Sequence, residues 1–458
     1  MRNGPCGPWT SSAGSDSVGR VRVAIIGAGP TGLFLGGALH RRGHAVTIVD
    51  RDGGPEPDGS WPRKGVMQFH HAHVFRPPIA DALARELPEG LHRWVDVGAE
   101  LVKNPGTGEV AGIRSQRSTF DRALREVVAA QPGLTLLTGH VRAVWRVDGV
   151  AIGLDVDGTP VPAELVIDAS GRSSRVTRDL GEREGFGGDC GLAYVDRLYR
   201  LRPGADPGPL TSPVFWTGDF RGYQVYVFLH EQGIFSTIIM RHGRDAELKL
   251  LRHDAAYDAA CAAIPPLAEW TDPTRAEPIA SVFPGGSLLN HYRGQRSADG
   301  RPPLRGLVSV GDAVATTTPS FGRGVSLALM QAERLLADID QHGADLDAVR
   351  DSFDGWCAGE MAPWVRDHIE MDTGRAARWA GADVDLSAPL PSDLVMAAAQ
   401  QDPTIAARLG PYLAMEAGPA TVAPLQEAAR RVYETGWRPP YAEGPSRDEL
   451  ARIVSSAL

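Results

Sequence analysis

The chain has 458 residues, which is enough for two or three domains. Hydrophobic residues make up 43% and charged residues 22%, so the composition is that of a globular protein and excludes the disordered and fibrous classes. With 47 Lys and Arg against 56 Asp and Glu the net charge is −9, and such a chain has no general field that attracts nucleic acid or anionic lipid.

The cysteines and the N-terminal segment indicate a reducing compartment. The four cysteines show no CxxC pairing and no short spacing to histidine, so we expect neither a metal site nor a disulfide framework. Residues 1–19 lack the apolar core of a signal peptide and are expected to form a flexible tail. The uncharged stretch 23–39 is interrupted by GAGPTG and is too short for a membrane span. We therefore expect a cytoplasmic protein.

The first elements predict a βαβ unit. VRVAIIG is a β-branched run typical of a buried parallel strand, and residues 33–42 have the spacing of a helix. AVTIVD at 45–50 is a second buried strand, and it ends in an acid. This order is typical of the start of a doubly wound parallel sheet.

A different sheet follows further along the chain. Between residues 191 and 242 the pattern changes to longer alternating runs, and GYQVYVFLHEQGIFSTIIM is typical of a hairpin that turns near 231–233. Residues 304–313 return to the buried-strand pattern, 325–339 predict a helix, and 344–458 show helical periodicity broken by prolines. We therefore expect a second, antiparallel sheet between two parts of the α/β unit.

A glycine turn connects the first strand to the first helix. Residues 27–32 read GAGPTG, and they provide the tight turn, the close backbone approach and the helix packing that a pyrophosphate at a helix N-terminus requires. Asp50 lies 18 residues beyond Gly32, where its carboxylate can accept both hydroxyl hydrogens of an adenosine ribose. The motif predicts a dinucleotide site but does not distinguish FAD from NAD(P).

Two later motifs carry a family resemblance. VIDASGR at 166–172 follows a strand, and VSVGDA at 308–313 places Asp312 directly after a buried strand. In this order and together with the glycine turn, the motifs resemble those of FAD-dependent monooxygenases of the para-hydroxybenzoate hydroxylase type, the class A flavoprotein monooxygenases. The resemblance covers most of residues 20–340.

The resemblance implies a cofactor role for particular residues. It places Asp312 at the ribityl hydroxyls of FAD, residues 322–324 near a flavin carbonyl oxygen, and Arg63 in the segment that contacts the pyrophosphate and ribose. A helix N-terminus at the flavin would also stabilise the anionic reduced cofactor. The residues expected to bind FAD are Gly27, Gly29, Pro30, Thr31, Gly32, Asp50, Arg51, Arg63, Arg117, Asp168, Gly171, Gly311, Asp312, Pro319, Gly322, Arg323 and Gly324.

The second sheet is expected to supply the substrate pocket. Aromatic residues in strands mostly belong to the core, but in this family one face of the second sheet covers the flavin, so some of them are expected to line an apolar pocket. One histidine of the His-rich stretch 68–73 is also expected there. The candidate pocket residues are His73, Tyr194, Tyr223, Tyr226, Phe228 and Phe321, and no residue is assigned as catalytic.

Departures from the family pattern leave alternatives for the electron donor. Ser170 precedes Gly171 in the second motif, which in the family is linked to both FAD and NAD(P)H. We expect NAD(P)H to be the electron donor and to reduce the bound flavin directly, and the alternative is reduction by a separate flavin reductase. Residues 314–318 replace the histidine that commonly follows Gly-Asp-Ala, and the tryptophan-rich signature of flavin halogenases is absent, which argues against chlorination.

The resemblance implies an α/β fold: a Rossmann-like FAD-binding domain of the GR2 type, an inserted β-sheet substrate domain and a helical C-terminal region. The implied enzyme inserts one oxygen from dioxygen into an electron-rich aromatic ring or alkene, through a flavin C4a-hydroperoxide. The alternatives are an FAD-dependent reductase of the geranylgeranyl reductase-like type and a non-catalytic flavin-binding regulator. The expected boundaries are a tail at 1–19, the FAD-binding domain at 20–75, 96–190 and 280–343, the substrate domain at 76–95 and 191–279, and the C-terminal region at 344–458.

Overall fold

The computed structural model describes residues 20–63, 65–104, 106–175, 183, 185–297, 299–300 and 304–458. Residues 1–19, expected to form a flexible tail, lie outside this described part. The strands in chain order are β1 (Arg22–Ile26), β2 (Ala45–Asp50), β3 (Glu100–Lys103), β4 (Val110–Arg114), β5 (Thr135–Thr138), β6 (Val141–Val147), β7 (Val150–Val156), β8 (Thr159–Pro162), β9 (Leu165–Asp168), β10 (Phe186–Asp189), β11 (Leu192–Leu201), β12 (Phe215–Phe220), β13 (Tyr223–Leu229), β14 (Ile234–His242), β15 (Ala276–Pro278), β16 (Phe283–Gly285), β17 (Leu289–Tyr292), β18 (Leu307–Ser309) and β19 (Ala315–Thr316). The helices are α1 (Pro30–Arg41), α2 (Pro77–Glu86), α3 (Pro88–Asp96), α4 (Arg117–Ala129), α5 (Asp254–Ala263), α6 (Pro265–Trp270), α7 (Gly324–His342), α8 (Leu346–Trp356), α9 (Ala362–Trp379), α10 (Ser392–Ala398), α11 (Pro403–Ala414), α12 (Gln426–Glu434) and α13 (Arg447–Ser456).

A five-stranded parallel sheet forms the first layer, in the order β18, β9, β1, β2, β5. Helices α1, α4 and α7 pack on one face, and the small antiparallel sheet of β6, β7 and β8 covers the other. Because both faces are covered, the β-branched runs of β1 and β9 are almost wholly buried. The strand order reverses at β1, and ligands of such sheets bind in the crevice at the carboxyl ends of the strands beside the reversal.

The second sheet is antiparallel, in the order β12, β13, β14, β11, β15, with β16 also paired to β11. The predicted hairpin is observed: β13 and β14 pair and are joined at Glu231–Gly233. Since side chains alternate between the faces of a strand, the sheet has two apolar sides. One packs against α5, α6 and α13, and the other faces the parallel-sheet layer.

The structure differs from the expected boundaries in two places. Residues 76–95, expected in the substrate domain, bury Ile79, Leu83 and Trp94 in the core of the parallel-sheet layer. The C-terminal region is divided, because α13 places Leu450 and Val454 in the core of the second sheet whereas the helices before it join the first core. Short amphipathic helices bury their apolar stripe in whichever core is nearest in space, and the order of the sequence does not reveal which one that is.

The mixed α/β architecture expected from the sequence is confirmed, with a parallel sheet, an antiparallel sheet and a mainly helical C-terminal part. None of the helices in the described residues has both the length and the apolar character needed to cross a membrane.

Gly32 is expected to be essential for the stability of the parallel-sheet layer. A Cβ at this position would lie 1.9 Å from the carbonyl oxygen of Gly27, so Gly32→Ala would push α1 away from β1. Overpacking of this kind costs about 1–3 kcal/mol of unfolding free energy, and we expect a clearly lower melting temperature. Gly29→Ala is the matched control, because a Cβ on Gly29 meets no atom within 4 Å. Equal melting temperatures for the two variants would contradict this account.

Candidate active site

A cavity of about 830 Å³ extends from the carboxyl edge of the parallel sheet to the second sheet. Its polar end is lined by the glycine turn after β1, by Asp50 and Arg51 at the end of β2, and by residues 139–142 after β5. Its apolar end is lined by side chains of the second sheet, including Tyr226 and Phe228. The cavity therefore joins the predicted dinucleotide site to the predicted substrate wall.

Two helix N-termini border the cavity. Gly29, Pro30 and Thr31 at the start of α1 line it, as do Gly322 and Gly324 at the start of α7. Neither helix has a side chain that caps its first amides. Free amides at a helix N-terminus bind anions, and the open space in front of Gly29 is large enough for an approaching phosphate group. Both helix starts fit the anionic parts of FAD.

Asp50 fixes the polar end of the cavity. Its carboxylate accepts hydrogen bonds from the backbone amide of Ala28 at 2.6 Å and from that of Asp52 at 2.9 Å. These bonds connect the glycine turn to the end of β2. Because an ionised carboxylate has about four acceptor positions, Asp50 can also accept from the hydroxyls of a ribose in the cavity.

A buried ion triad adds positive charge to the same wall. Asp121, which is fully buried on α4, accepts hydrogen bonds from the guanidinium groups of Arg63 and, at 2.7 Å, Arg117. Arg63 also donates to the carbonyl of Ala28 at 2.7 Å, and its Nε has no partner in the described part of the chain. Two guanidinium groups and one carboxylate leave one positive charge, and both arginines line the cavity. The triad therefore fits the pyrophosphate of FAD.

Asp312 brings a carboxylate to the middle of the cavity. Among the described residues no side chain or amide donates a hydrogen bond to it, and it lines the cavity directly after β18. Burial raises the pKa of this carboxyl, and the guanidinium groups of Arg117 and Arg172 oppose the rise. Asp312 is half-buried on the cavity wall, so its free carboxylate can accept hydrogen bonds from a ligand, and the ribityl hydroxyls of FAD are suitable donors.

The apolar end holds the polar groups that can meet a substrate. Tyr226 donates its hydroxyl hydrogen to Oε1 of Gln224 at 2.5 Å, so this phenol is already satisfied. The hydroxyl of Tyr194, which is 5% exposed, has no hydrogen-bond partner among the described residues. Burial lowers the pKa of His73 well below its ordinary value, and the charges of Arg117 and His230 act in the same direction, so the imidazole is neutral at pH 7.

Most of the residues predicted from the sequence line this cavity. They are Gly27, Gly29, Pro30, Thr31, Asp50, Arg51, Arg63, Arg117, Gly171, Asp312, Pro319, Gly322 and Gly324 on the cofactor side, and His73, Tyr194, Tyr226 and Phe228 on the substrate side.

Three of the predicted cofactor residues support the lining from behind instead of lining the cavity. Gly32 allows α1 to approach Gly27. Asp168 accepts hydrogen bonds from the hydroxyls of Ser170 and Ser174, both at 2.6 Å, and so shapes the turn after β9. The amide of Gly311 donates to Gln331 at 2.9 Å and ties the end of β18 to α7.

The assignments of three other residues are corrected, because Arg323, Phe321 and Tyr223 do not line the cavity. Arg323 is buried against Asp367, 3.0 Å away, with its guanidinium group 4.6 Å from the centre of each of the stacked rings of Trp364 and Tyr412. Phe321 packs edge-on against His368, with ring centroids 5.5 Å apart. Arg323 and Phe321 thus contact residues of the C-terminal helix α9, more than 40 positions further along the chain.

Tyr223 lies on the wrong face of its strand to line the cavity. It is an odd number of residues from Tyr226, so the alternation of β13 sends it to the side that packs against α13. There its hydroxyl donates to the carbonyl of Pro445 at 2.8 Å. The alternation alone could have excluded it.

The sequence reasoning also missed several lining residues. Residues 139–142 follow β5, whose carboxyl end shares an edge with β1 and β2, so the topology could have indicated them. Residues 316–318 and Ser320 lie on either side of Pro319, and Met240 and Leu288 complete the apolar end. In the described residues no group of three or more histidine, cysteine or acidic side chains is placed to hold a metal ion.

Comparisons with known proteins agree with this geometry. Residues 20–69 match a family model described as FAD binding domain. The 6-methylpretetramide 4-monooxygenase of Streptomyces rimosus is 27% identical over 349 residues, which cover 68% of this chain and 73% of the relative. The 3-amino-4-hydroxybenzoate 2-monooxygenase PtnB3 of Streptomyces platensis is 25% identical over 362 residues, covering 72% and 82%.

Solved structures show the same fold. The flavin-dependent brominase Bmp2 is similar with a TM-score of 0.64 and 16% identity, over 91% of this chain and 100% of that chain. PqsL, a probable FAD-dependent monooxygenase from Pseudomonas aeruginosa, is similar with a TM-score of 0.57 and 17% identity, over 79% and 99%. Identities this low establish the fold alone.

The cavity, the fold and the relatives together define the class: the chain is a flavoprotein oxidoreductase with FAD as its cofactor. Within that class it is similar to the FAD-dependent monooxygenases expected from the sequence, since residues 20–69 match an FAD binding domain and the curated relatives are named monooxygenases.

Asp312 is expected to contribute to FAD affinity. Replacing it in Asp312→Asn weakens charge-assisted hydrogen bonds worth about 1.5–3 kcal/mol each, so the dissociation constant for FAD should rise roughly ten- to a hundredfold. Asp338→Asn is the control, since Asp338 is a buried carboxylate that pairs with Arg334 at 2.9 Å and does not line the cavity. Fluorescence titration of the FAD-free proteins measures both constants, and an unchanged value for Asp312→Asn would remove its assignment to the ribityl chain.

Proposed function

We propose that the protein is an FAD-dependent monooxygenase that inserts one oxygen atom of dioxygen into an electron-rich aromatic small molecule. The observation that carries the proposal is the continuity of the cavity: the same space that fits FAD ends in an apolar wall with one unpaired phenol. Ring hydroxylation is favoured over alkene epoxidation because one relative is named for a reaction on 3-amino-4-hydroxybenzoate, an aromatic acid.

In the proposed reaction, the substrate C–H becomes C–OH and the second oxygen atom leaves as water, while NAD(P)H is oxidised to NAD(P)⁺ and one proton is taken up from solvent. Bound FAD supplies the electron transfer and the activation of dioxygen. The chain binds and orients the substrate, excludes water and stabilises charge. The N-terminus of α7, where Gly322 and Gly324 line the cavity, favours the added negative charge of the reduced cofactor.

The apolar wall has the role of excluding water. Tyr226, Phe228, Ile238, Met240 and Leu288 form one buried cluster on the cavity side of the second sheet. Water and stray protons in the cavity would divert activated oxygen to hydrogen peroxide. A dry wall of this kind therefore supports oxygen transfer to the substrate in preference to peroxide release.

Tyr194 is proposed to orient the substrate. Its ring lies across Gly285, where a Cβ would come within 2.3 Å of the ring, and the ring of His71 meets it edge-on at 5.3 Å between centroids. His71 is in turn held by Asp196 at 2.6 Å. Burial raises the pKa of Tyr194, so its hydroxyl stays protonated and can donate to an oxygen substituent of the substrate.

Isotope labelling tests the reaction. Incubation with candidate aromatic compounds, NAD(P)H and ¹⁸O₂ is expected to give a product that is heavier by one labelled oxygen, with oxidation of NAD(P)H. Product formation without dioxygen would replace the proposal by the reductase alternative. Anaerobic mixing with NAD(P)H is expected to bleach the flavin, and bleaching only after addition of a flavin reductase would make the enzyme part of a two-component system.

The wall aromatic Phe228 is expected to control coupling. Phe228→Ala opens the cavity to water, so peroxide released per NAD(P)H consumed should rise several-fold while flavin reduction changes little. Phe235→Ala is the matched control, since Phe235 is fully buried on the other face of the same sheet and stacks on Tyr199. Peroxide and product yields at saturating substrate measure the effect. A rise of equal size in both variants would show a general loss of structure instead.

A pair of phenol deletions tests the orientation of the substrate. Tyr194→Phe should raise KM about two- to twelvefold, because one hydrogen bond contributes about 0.5–1.5 kcal/mol. Tyr226→Phe removes a hydroxyl that is already bonded to Gln224, so it should change KM less. The difference should vanish with a substrate analogue that lacks the oxygen substituent. If Tyr194→Phe has no effect on any substrate, the orienting role is wrong.

A further inference from the structure

One irregular loop forms the wall between the two ends of the cavity. Residues 316–322 connect β19 to α7, and Thr316, Thr317, Thr318, Pro319, Ser320 and Gly322 line the cavity there. The resemblance to the monooxygenase family places this loop beside the flavin ring. Its shape therefore affects both the cofactor and the substrate.

A carboxylate from the C-terminal helix α9 holds this loop. Asp372 accepts a hydrogen bond from Oγ1 of Thr318 at 2.8 Å and a longer one from Oγ of Ser320 at 3.5 Å. Asn290 completes the contact, because it donates to Asp372 at 2.8 Å and accepts from the backbone amide of Thr318 at 2.8 Å. The backbone amide and the hydroxyl of Thr318 are thus both held by one hydrogen-bonded pair, Asp372 and Asn290.

Other residues on the same face of α9 contact the following part of the loop. His368 and Arg375 share this face with Asp372 because residues three and four apart are neighbours on a helix, and Asp367 lies beside it. Asp367 pairs with Arg323 at 3.0 Å. The ring of His368 lies against Phe321, and the guanidinium group of Arg375 lies 5.3 Å from the centre of the Phe321 ring. The whole face is directed at residues 318–323.

Asp372 is a buried charge that is well partnered. Its exposed fraction is 1% and burial raises its pKa, which Arg375, Asn290 and Thr318 oppose. Arg375 donates to it at 3.1 Å. A buried carboxylate is stable only when it is paired and hydrogen-bonded. Its donors here are Arg375 together with Thr318, Ser320 and Asn290, which belong to the cavity loop or support it.

We propose that Asp372 is a positioning residue for the flavin site: through Thr318, Ser320 and Asn290 it sets the shape of the loop 316–322, and its negative charge balances Arg375 behind that loop. The inference rests on the assignment of the chain as an FAD-dependent monooxygenase, but none of its measurements requires turnover. It gives the C-terminal helices a direct part in the flavin site.

The test compares two buried carboxylates of the same chain. Asp372→Asn removes the carboxylate that Arg375 contacts directly, and Asp219 and Asp393 remain as its other acidic neighbours. We expect hydrogen exchange of the peptide covering residues 316–322 to become at least about tenfold faster, and the reduction potential of bound FAD to become more positive, because the loss of one negative charge behind the loop favours the reduced flavin. Asp338→Asn, which breaks a buried pair with Arg334 outside the cavity lining, should lower the melting temperature and change neither measurement.

A charge exchange provides the rescue. The double variant Asn290→Asp with Asp372→Asn transfers the negative charge from position 372 to position 290. Thr318 keeps an acceptor for its amide at position 290 and one for its hydroxyl at position 372. We expect the exchange rate and the potential to return most of the way to those of the parent. Thr318→Val, which keeps the shape of the side chain and removes its hydroxyl, should speed exchange and leave the potential almost unchanged.

The outcomes separate this inference from the proposed reaction. If Asp372→Asn lowers only the melting temperature, or if the double variant restores neither measurement, Asp372 is merely structural and the inference is wrong. If Asp372→Asn does not fold, the exchange measured in Thr318→Val decides, and an unchanged rate overturns the inference. Failure to incorporate labelled oxygen would overturn the proposed reaction without affecting these results.

Discussion

The buried carboxylate of Asp121 is the interaction on which the polar end of the cavity depends. It holds Arg63 and Arg117 together, and Arg63 reaches from there to the carbonyl of Ala28 in the glycine turn. Two guanidinium groups so close together repel each other, and one carboxylate leaves a positive charge that is costly to bury. An anion in the cavity removes that cost. The triad therefore suits the binding of an anionic group at this wall of the cavity.

The topology of the sheets explains why so many functional residues meet in one cavity. The carboxyl ends of β1, β2, β5, β9 and β18 lie at one edge of the parallel sheet, so the turns that follow them face the same space. Gly27, Asp50, Gly171 and Asp312 each follow or end one of these strands. The second sheet covers this edge with its apolar side. Cofactor and substrate positions are therefore a consequence of strand order, and the side chains add the chemistry.

The local motifs made the cofactor end predictable from the sequence. The glycine turn, Asp50 and Asp312 are defined by residues directly next to a strand, and short-range patterns report such positions well. The alternation of β13 also carried information, since it places Tyr226 and Phe228 on one face and Tyr223 on the other. The error at Tyr223 came from residue type being given more weight than period.

The contacts of the C-terminal helices could not be predicted in the same way. Arg323 follows a glycine motif and was expected at the cofactor, yet Asp367, 44 residues away, binds it behind the loop. The local sequence of α9 does not predict that Asp372 binds Thr318, because α9 and the loop 316–322 come together only in the folded protein. Helical periodicity showed that α9 has a buried face but not what that face contacts. The same limit explains why residues 76–95 were expected in the wrong core.

Asp121 and Asp372 are both buried carboxylates that pair with arginine, but they differ in the number of arginines that each one binds. Asp121 binds two arginines and leaves an excess positive charge where the phosphates of the cofactor are expected. Asp372 binds one arginine, Arg375, behind the loop 316–322 beside the apolar wall. An excess charge there would attract water into the part of the cavity that must stay dry. The number of cationic partners of the two buried carboxylates therefore differs between the wall proposed for the pyrophosphate, where Asp121 has two, and the loop beside the apolar end, where Asp372 has one.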